Sequence, residues 1–101
     1  MRYTISSAMA SLLLALPTLA AAEVPRVVTD IPPVQSLVAQ VMGDLGTPEL
    51  LLAKGADEHD FQLRPSQMGA ISGAGLVVWI GPELTPWLDR ALRSAGGGVP
   101  Q

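Results

Sequence analysis

Three short apolar runs alternate with helical patterns along residues 23–101. The runs are RVVTDI (26–31), PELLLA (48–53) and LVVWI (76–80). Each predicts a strand, because each is rich in β-branched or other apolar residues and is bounded by proline or glycine. The third run is apolar at every position, which is typical of a strand buried on both faces of a parallel sheet.

Two other stretches carry an apolar stripe with helical spacing. The first begins near Pro33, which suits the first turn of a helix, and ends at Gly43. Its stripe consists of Val34, Leu37, Val38, Val41 and Met42. The second begins near Pro86. Its stripe consists of Leu84, Trp87, Leu88, Ala91 and Leu92. Between them, residues 64–75 predict a weaker helix, since two glycines interrupt a thin stripe.

This alternation of strands and helices predicts right-handed βαβ crossovers. The expected fold class is α/β, with a three-stranded parallel sheet and flanking helices. Because parallel sheets rarely leave their edges uncovered, residues 23–92 are expected to form part of a larger lobe. Residues 93–101 (RSAGGGVPQ) are expected to form a flexible tail or to follow a change of reading frame.

Residues 1–22 have the pattern of a secretory signal peptide. Arg2 gives a positive start, an apolar run is densest over residues 8–20, and three alanines precede Glu23. A membrane anchor is the alternative, but the run is short and Pro17 interrupts it, whereas a spanning helix needs about 20 strongly apolar residues. Cleavage before Glu23, export and no stable membrane insertion afterwards are therefore expected.

Composition limits both how an exported form can be stabilised and which partners it can bind. The chain has no cysteine, so an exported form has no disulfide to stabilise it. Residues 23–101 contain nine acids and five bases, a net charge of −4. Binding to nucleic acid needs clustered positive charge, so no nucleic-acid partner is expected.

The only histidine, His59, lies in the acidic loop GADEHDFQLRPSQ (55–67). This loop follows the second strand, at the edge of the sheet where α/β proteins bind ligands. Imidazole and carboxylate groups are both zinc ligands. However, neighbouring side chains of an extended segment point in opposite directions, so only one or two of Asp57, Glu58 and Asp60 can join His59 on one ion. Spacing alone is not specific for a metal site, and it favours a solvated acidic turn over one.

A hydrolase that uses His59 as a general base is a further alternative. It would need an activated serine nearby. Ser66 and Ser72 are available, but no nucleophile-elbow pattern surrounds either of them.

Three blocks of sequence resemble one known family in order and spacing. They are VVTDIPPVQSLVAQVMGD, LLLAKGADEHDFQLRPSQ and AGLVVWIGPELTPWL, of which the run around His59 is the most specific. Together they resemble the start of a periplasmic zinc-binding protein of the high-affinity zinc ABC importer, the ZnuA type of solute-binding protein. The resemblance covers nearly all of residues 27–88.

The resemblance implies a protein of two α/β lobes joined by a long helix, with the metal in the cleft between them. It implies that His59 is a zinc ligand with Glu58 as its companion, and gives Asp57 and Asp60 no ligand role. The other ligands of the family come from sequence beyond residue 101, so the zinc site of this chain is expected to be incomplete.

By the same resemblance the protein is expected to be periplasmic, to lack enzymatic activity and to deliver zinc to a membrane permease of the importer. Two alternatives stay open. One is a manganese- or iron-binding member of the same superfamily, because harder cations prefer more oxygen ligands. The other is a small exported scaffold or interaction protein without a ligand.

Overall fold

Three parallel strands form a sheet in the computed structural model, which describes residues 23–101. The strands are β1 (Val27–Thr29), β2 (Glu49–Leu50) and β3 (Leu76–Val78), in the spatial order β2-β1-β3. The helices are α1 (Pro32–Met42), α2 (Pro65–Ser72) and α3 (Pro86–Ser94), and a 3₁₀ turn (Gly43–Leu45) follows α1. The predicted α/β class and the parallel sheet are confirmed.

Local sequence explains where these elements begin and pair. Each helix has a proline in its first turn. Backbone N–H groups there have no acceptor within the helix, so a proline, which lacks the N–H, removes no helical hydrogen bond. The regular strands are shorter than the apolar runs that predicted them. Even so, pairing continues beyond β2, because the N–H groups of Leu51 and Leu52 donate to the carbonyls of Thr29 and Asp30, each at 3.0 Å.

The main core lies on the face of the sheet that α2 and α3 cover. Val28 and Val77 are paired neighbours on this face, and both are almost fully buried. They pack with Ile71 of α2 and Leu88 of α3, whose exposed fractions are 0%. Burying a side chain of this size contributes about 1.5–3 kcal/mol, so this face carries most of the apolar stabilisation.

The opposite face is covered less completely. It carries α1, whose Val34 is buried, whereas Leu37 is 64% and Val41 is 86% exposed. Between α1 and the β3 side of the sheet lies an apolar groove of about 500 Å³. Its walls include Val24, Leu37, Val41, Leu76 and Val78.

Residues after α3 return to the outer edge of β3. The carbonyl of Pro100 accepts the N–H of Val77 at 2.8 Å, and Val99 is buried. The predicted division of the chain at residues 22 and 92 stays a prediction, although α3 continues through Ser94. Residues 1–22 lie outside the described residues, and within residues 23–101 no helix has the length and apolar character needed to cross a membrane.

Candidate metal centre

The loops that follow the three strands meet at the carboxyl edge of the sheet, as predicted. They surround a depression of about 240 Å³. Ile31 and Pro32 line it from the loop after β1, Ala56 and Glu58 from the loop after β2, and Leu84 from the loop after β3. The acidic loop therefore contributes to the position where a ligand of an open α/β sheet would bind.

Asp30 holds two of these loops together, a role that the sequence analysis did not assign. Its carboxylate has no exposed surface and accepts the N–H of Ile31 at 2.8 Å and the N–H of Ile80 at 3.0 Å. A carboxylate with both oxygens hydrogen-bonded tolerates burial far better than an isolated one. The only signal in the sequence was its place directly after a buried strand.

The acidic loop folds as a series of tight turns. Gly55 has φ +86°, a backbone conformation that favours glycine. The carboxylate of Asp57 accepts the N–H of His59 at 2.8 Å. Asp57 therefore directs one carboxylate oxygen to the backbone of its own loop.

Two buried side chains from outside the turns anchor this loop. Gln67 joins the segments on either side of the turns, because its side-chain oxygen accepts the N–H of Arg64 at 2.9 Å and its side-chain nitrogen donates to the carbonyl of Leu51 at 2.8 Å. Trp87 anchors the middle, since its indole N–H donates to the carbonyl of Glu58 at 2.7 Å. The ring of Phe61 meets Trp87 edge-on, with centroids 5.0 Å apart.

Trp87 belongs to the apolar stripe that predicted the last helix, and it is 3% exposed. Its hydrogen bond to the acidic loop was not predicted. Any signal for this bond was weak. A buried indole N–H generally needs an acceptor, but the sequence does not say which one.

The two predicted ligands lie side by side in the chain but differ in exposure. Glu58 is half-buried and lines the depression, whereas His59 is exposed. Within residues 23–101, no three His, Cys, Asp or Glu side chains come close enough together to hold a metal ion. The described residues thus supply at most a pair of donors, and the assignment of Glu58 and His59 as ligands stays a prediction.

Comparison with known proteins identifies the family. Residues 27–101 match the family model ZnuA, described as zinc-uptake complex component A, periplasmic. This chain belongs to the ZnuA family. The family inferred from the three sequence blocks is therefore confirmed.

Individual relatives agree with this family. The high-affinity zinc uptake system protein ZnuA of Paracoccus denitrificans (strain Pd 1222) is 64% identical over 75 residues, which are 74% of this chain and 23% of the relative. The protein of the same name from Brucella abortus (strain 2308) is 36% identical over 73 residues, 72% of this chain and 22% of the relative. The chain thus spans less than a quarter of the length of these curated relatives.

Solved structures of two other proteins share the fold. The metal-dependent lipoprotein YcdH from Bacillus subtilis superposes with a TM-score of 0.67 at 28% identity, over 74% of this chain and 28% of that protein. Zn(II)-bound AdcA from Streptococcus pneumoniae gives 0.63 at 25% identity, over 72% of this chain and 16% of that protein.

Proposed function

We propose that this chain is part of the extracytoplasmic solute-binding component of a zinc ABC importer, and that Glu58 and His59 are ligands to Zn²⁺. One observation carries the proposal. In a member of the ZnuA family, the only histidine of the sequence stands beside a half-buried carboxylate where the loops after all three strands meet.

The donor set suits zinc. A neutral imidazole nitrogen and a carboxylate oxygen both occur in tetrahedral zinc sites. The negative charges of Asp57 and Asp60, on either side of the pair, favour the approach of a dication. Two protein ligands fill half of a tetrahedral shell, so donors from outside this loop would complete it, and the pair alone should bind weakly.

Zinc is the cargo in this proposal. The protein would capture the ion in the periplasm and release it to a membrane permease, without making or breaking a covalent bond. Residues 1–22 would act as the cleaved signal peptide that directs export. The names of the Paracoccus and Brucella relatives support this role, as does the periplasmic description of the family.

Zinc titration of the purified chain, followed by the NMR signals of the His59 ring and by calorimetry, tests the proposal. We expect His59→Ala to weaken zinc binding by at least about tenfold. Losing a residue that only hydrogen-bonds to a metal ligand already lowers metal affinity by about that factor, and His59 is a proposed ligand itself. Glu58→Gln and Asp60→Asn each remove one negative charge, so they form a matched pair. Glu58→Gln should weaken binding more, because only Glu58 is a proposed ligand.

Equal zinc affinity in the parent chain and in His59→Ala would disprove the assignment. A loss in Asp60→Asn as large as in Glu58→Gln would reduce the loop to a diffuse acidic patch, in which charge rather than coordination attracts the ion.

A further inference from the structure

We infer that Trp87 and Asp57 are positioning residues that fix the peptide unit between Glu58 and His59. The role of the pair as zinc ligands rests on the proposed function. The immobilised peptide unit rests on the contacts of residues 57–61 and 87 alone.

The peptide unit that joins Glu58 to His59 is hydrogen-bonded on both of its polar groups. Its carbonyl oxygen accepts the indole N–H of Trp87 at 2.7 Å. Its N–H donates to the carboxylate of Asp57 at 2.8 Å. Both distances are shorter than the 2.9–3.0 Å typical of an N–H···O bond.

Fixing this unit fixes the relation between the two side chains. A peptide unit is planar, so its orientation sets ψ of the residue before it and φ of the residue after it. Glu58 and His59 are those two residues. Their Cα–Cβ bonds therefore take one relative direction while both hydrogen bonds persist, which is what a preorganised pair of donors needs.

The Trp87 side chain is a rigid support for this contact. It is 3% exposed and lies in α3 beside Leu88, which has no exposed surface. Phe61, two residues after His59, packs edge-on against the same ring. An indole has a single N–H, so the contact with the Glu58 carbonyl uses all of its hydrogen-bonding capacity. Through α3, the loop is thereby attached to the main core.

The test uses the full chain and compares Trp87→Phe with Trp79→Phe. Both variants remove one indole N–H and keep an aromatic ring. The indole of Trp79 donates to the side chain of Gln101 at 3.1 Å, away from the loop. NMR hydrogen exchange would be measured at the amides of residues 57–60, with the amides of β1 as an internal reference.

In Trp87→Phe, we expect exchange at the His59 amide to accelerate about fivefold relative to β1, the factor that corresponds to one net hydrogen bond. Trp79→Phe should leave it unchanged. Asp57→Ala should have the same local effect as Trp87→Phe, and Asp57→Asn should restore protection because asparagine keeps the accepting oxygen. Unchanged exchange in Trp87→Phe, or equal acceleration in Trp79→Phe, would overturn the inference.

Zinc titration of the same variants separates this inference from the proposed function. We expect Trp87→Phe to raise the dissociation constant about fivefold, while Trp79→Phe does not. If no chain binds zinc, the proposed function fails and the exchange data still decide the positioning role. If Trp87→Phe exchanges faster but binds zinc as well as the parent chain does, the peptide unit is held in place but does not support zinc binding, and that part of the inference is wrong.

Discussion

Helices α1 and α3 have the same apolar spacing but different surroundings. In α3, Trp87, Leu88, Ala91 and Leu92 are all buried against the sheet and α2. In α1, Val34 is buried, whereas Leu37 and Val41 line the apolar groove and are exposed to solvent. A stripe thus identifies the apolar face of a helix, and it does not identify what covers that face.

The polar sides of the two helices differ as well. The water-facing side of α3 carries Asp89, Arg90 and Arg93, of which Asp89 and Arg93 form an ion pair at 3.0 Å. The segment PPVQSLVAQVM of α1 has no charged residue. Surface helices usually oppose an apolar stripe with charges, so the composition of α1 suits a helix covered on more than one side.

The largest expected effect lies in α3. Leu88→Ala should lower the free energy of unfolding by about 2–5 kcal/mol, because it removes a fully buried side chain and leaves a cavity. Urea unfolding followed by circular dichroism measures the loss. A change below 1 kcal/mol would show that α3 does not pack in solution as it does in this structure.

A smaller loss is expected at the one buried position of the α1 stripe. Val34→Ala removes two buried carbon groups, and burial of each contributes about 0.8 kcal/mol. The free energy of unfolding should therefore fall by about 1.5 kcal/mol. The same urea titration measures it. An effect as large as that of Leu88→Ala would mean that α1 and α3 are equally important to the core, which the burial pattern contradicts.

The smallest effect is expected on the exposed side of α1. Val41→Ser should change the free energy of unfolding by no more than about 0.5 kcal/mol, since Val41 is 86% exposed. Binding of the dye ANS, which reports exposed apolar surface, should fall because Val41 forms one wall of the groove. If Val41→Ser lowered the free energy of unfolding as much as Val34→Ala does, the groove would be covered in solution. Sedimentation at several protein concentrations would then show whether a second copy of the chain covers it.

Much of the fold followed from local pattern. Prolines at the start of each helix, the glycine that ends α1 and the β-branched run of β1 specify conformation through their own backbone preferences. The alternation of strands and helices then predicted that the strands run parallel. From that order alone, the loop of His59 was expected at the carboxyl edge, where the structure has it.

The contacts that shape the candidate site were not predictable in the same way. The carboxylate of Asp30 reaches Ile80, 50 residues away, and the indole of Trp87 reaches Glu58, 29 residues away. Periodicity describes which side of one element is apolar, and it carries no information about which distant backbone group a buried polar atom will meet.

The sequence by itself determined the class of fold, the parallel direction of the strands, the family and the position of the one histidine in an acidic loop. The tertiary structure alone decided that the α3 stripe is buried while most of the α1 stripe is not. It also decided that the peptide unit between Glu58 and His59 is held from both sides. The physical reason is that backbone preference acts between near neighbours, whereas burial and hydrogen bonding of side chains depend on what the rest of the fold brings next to them.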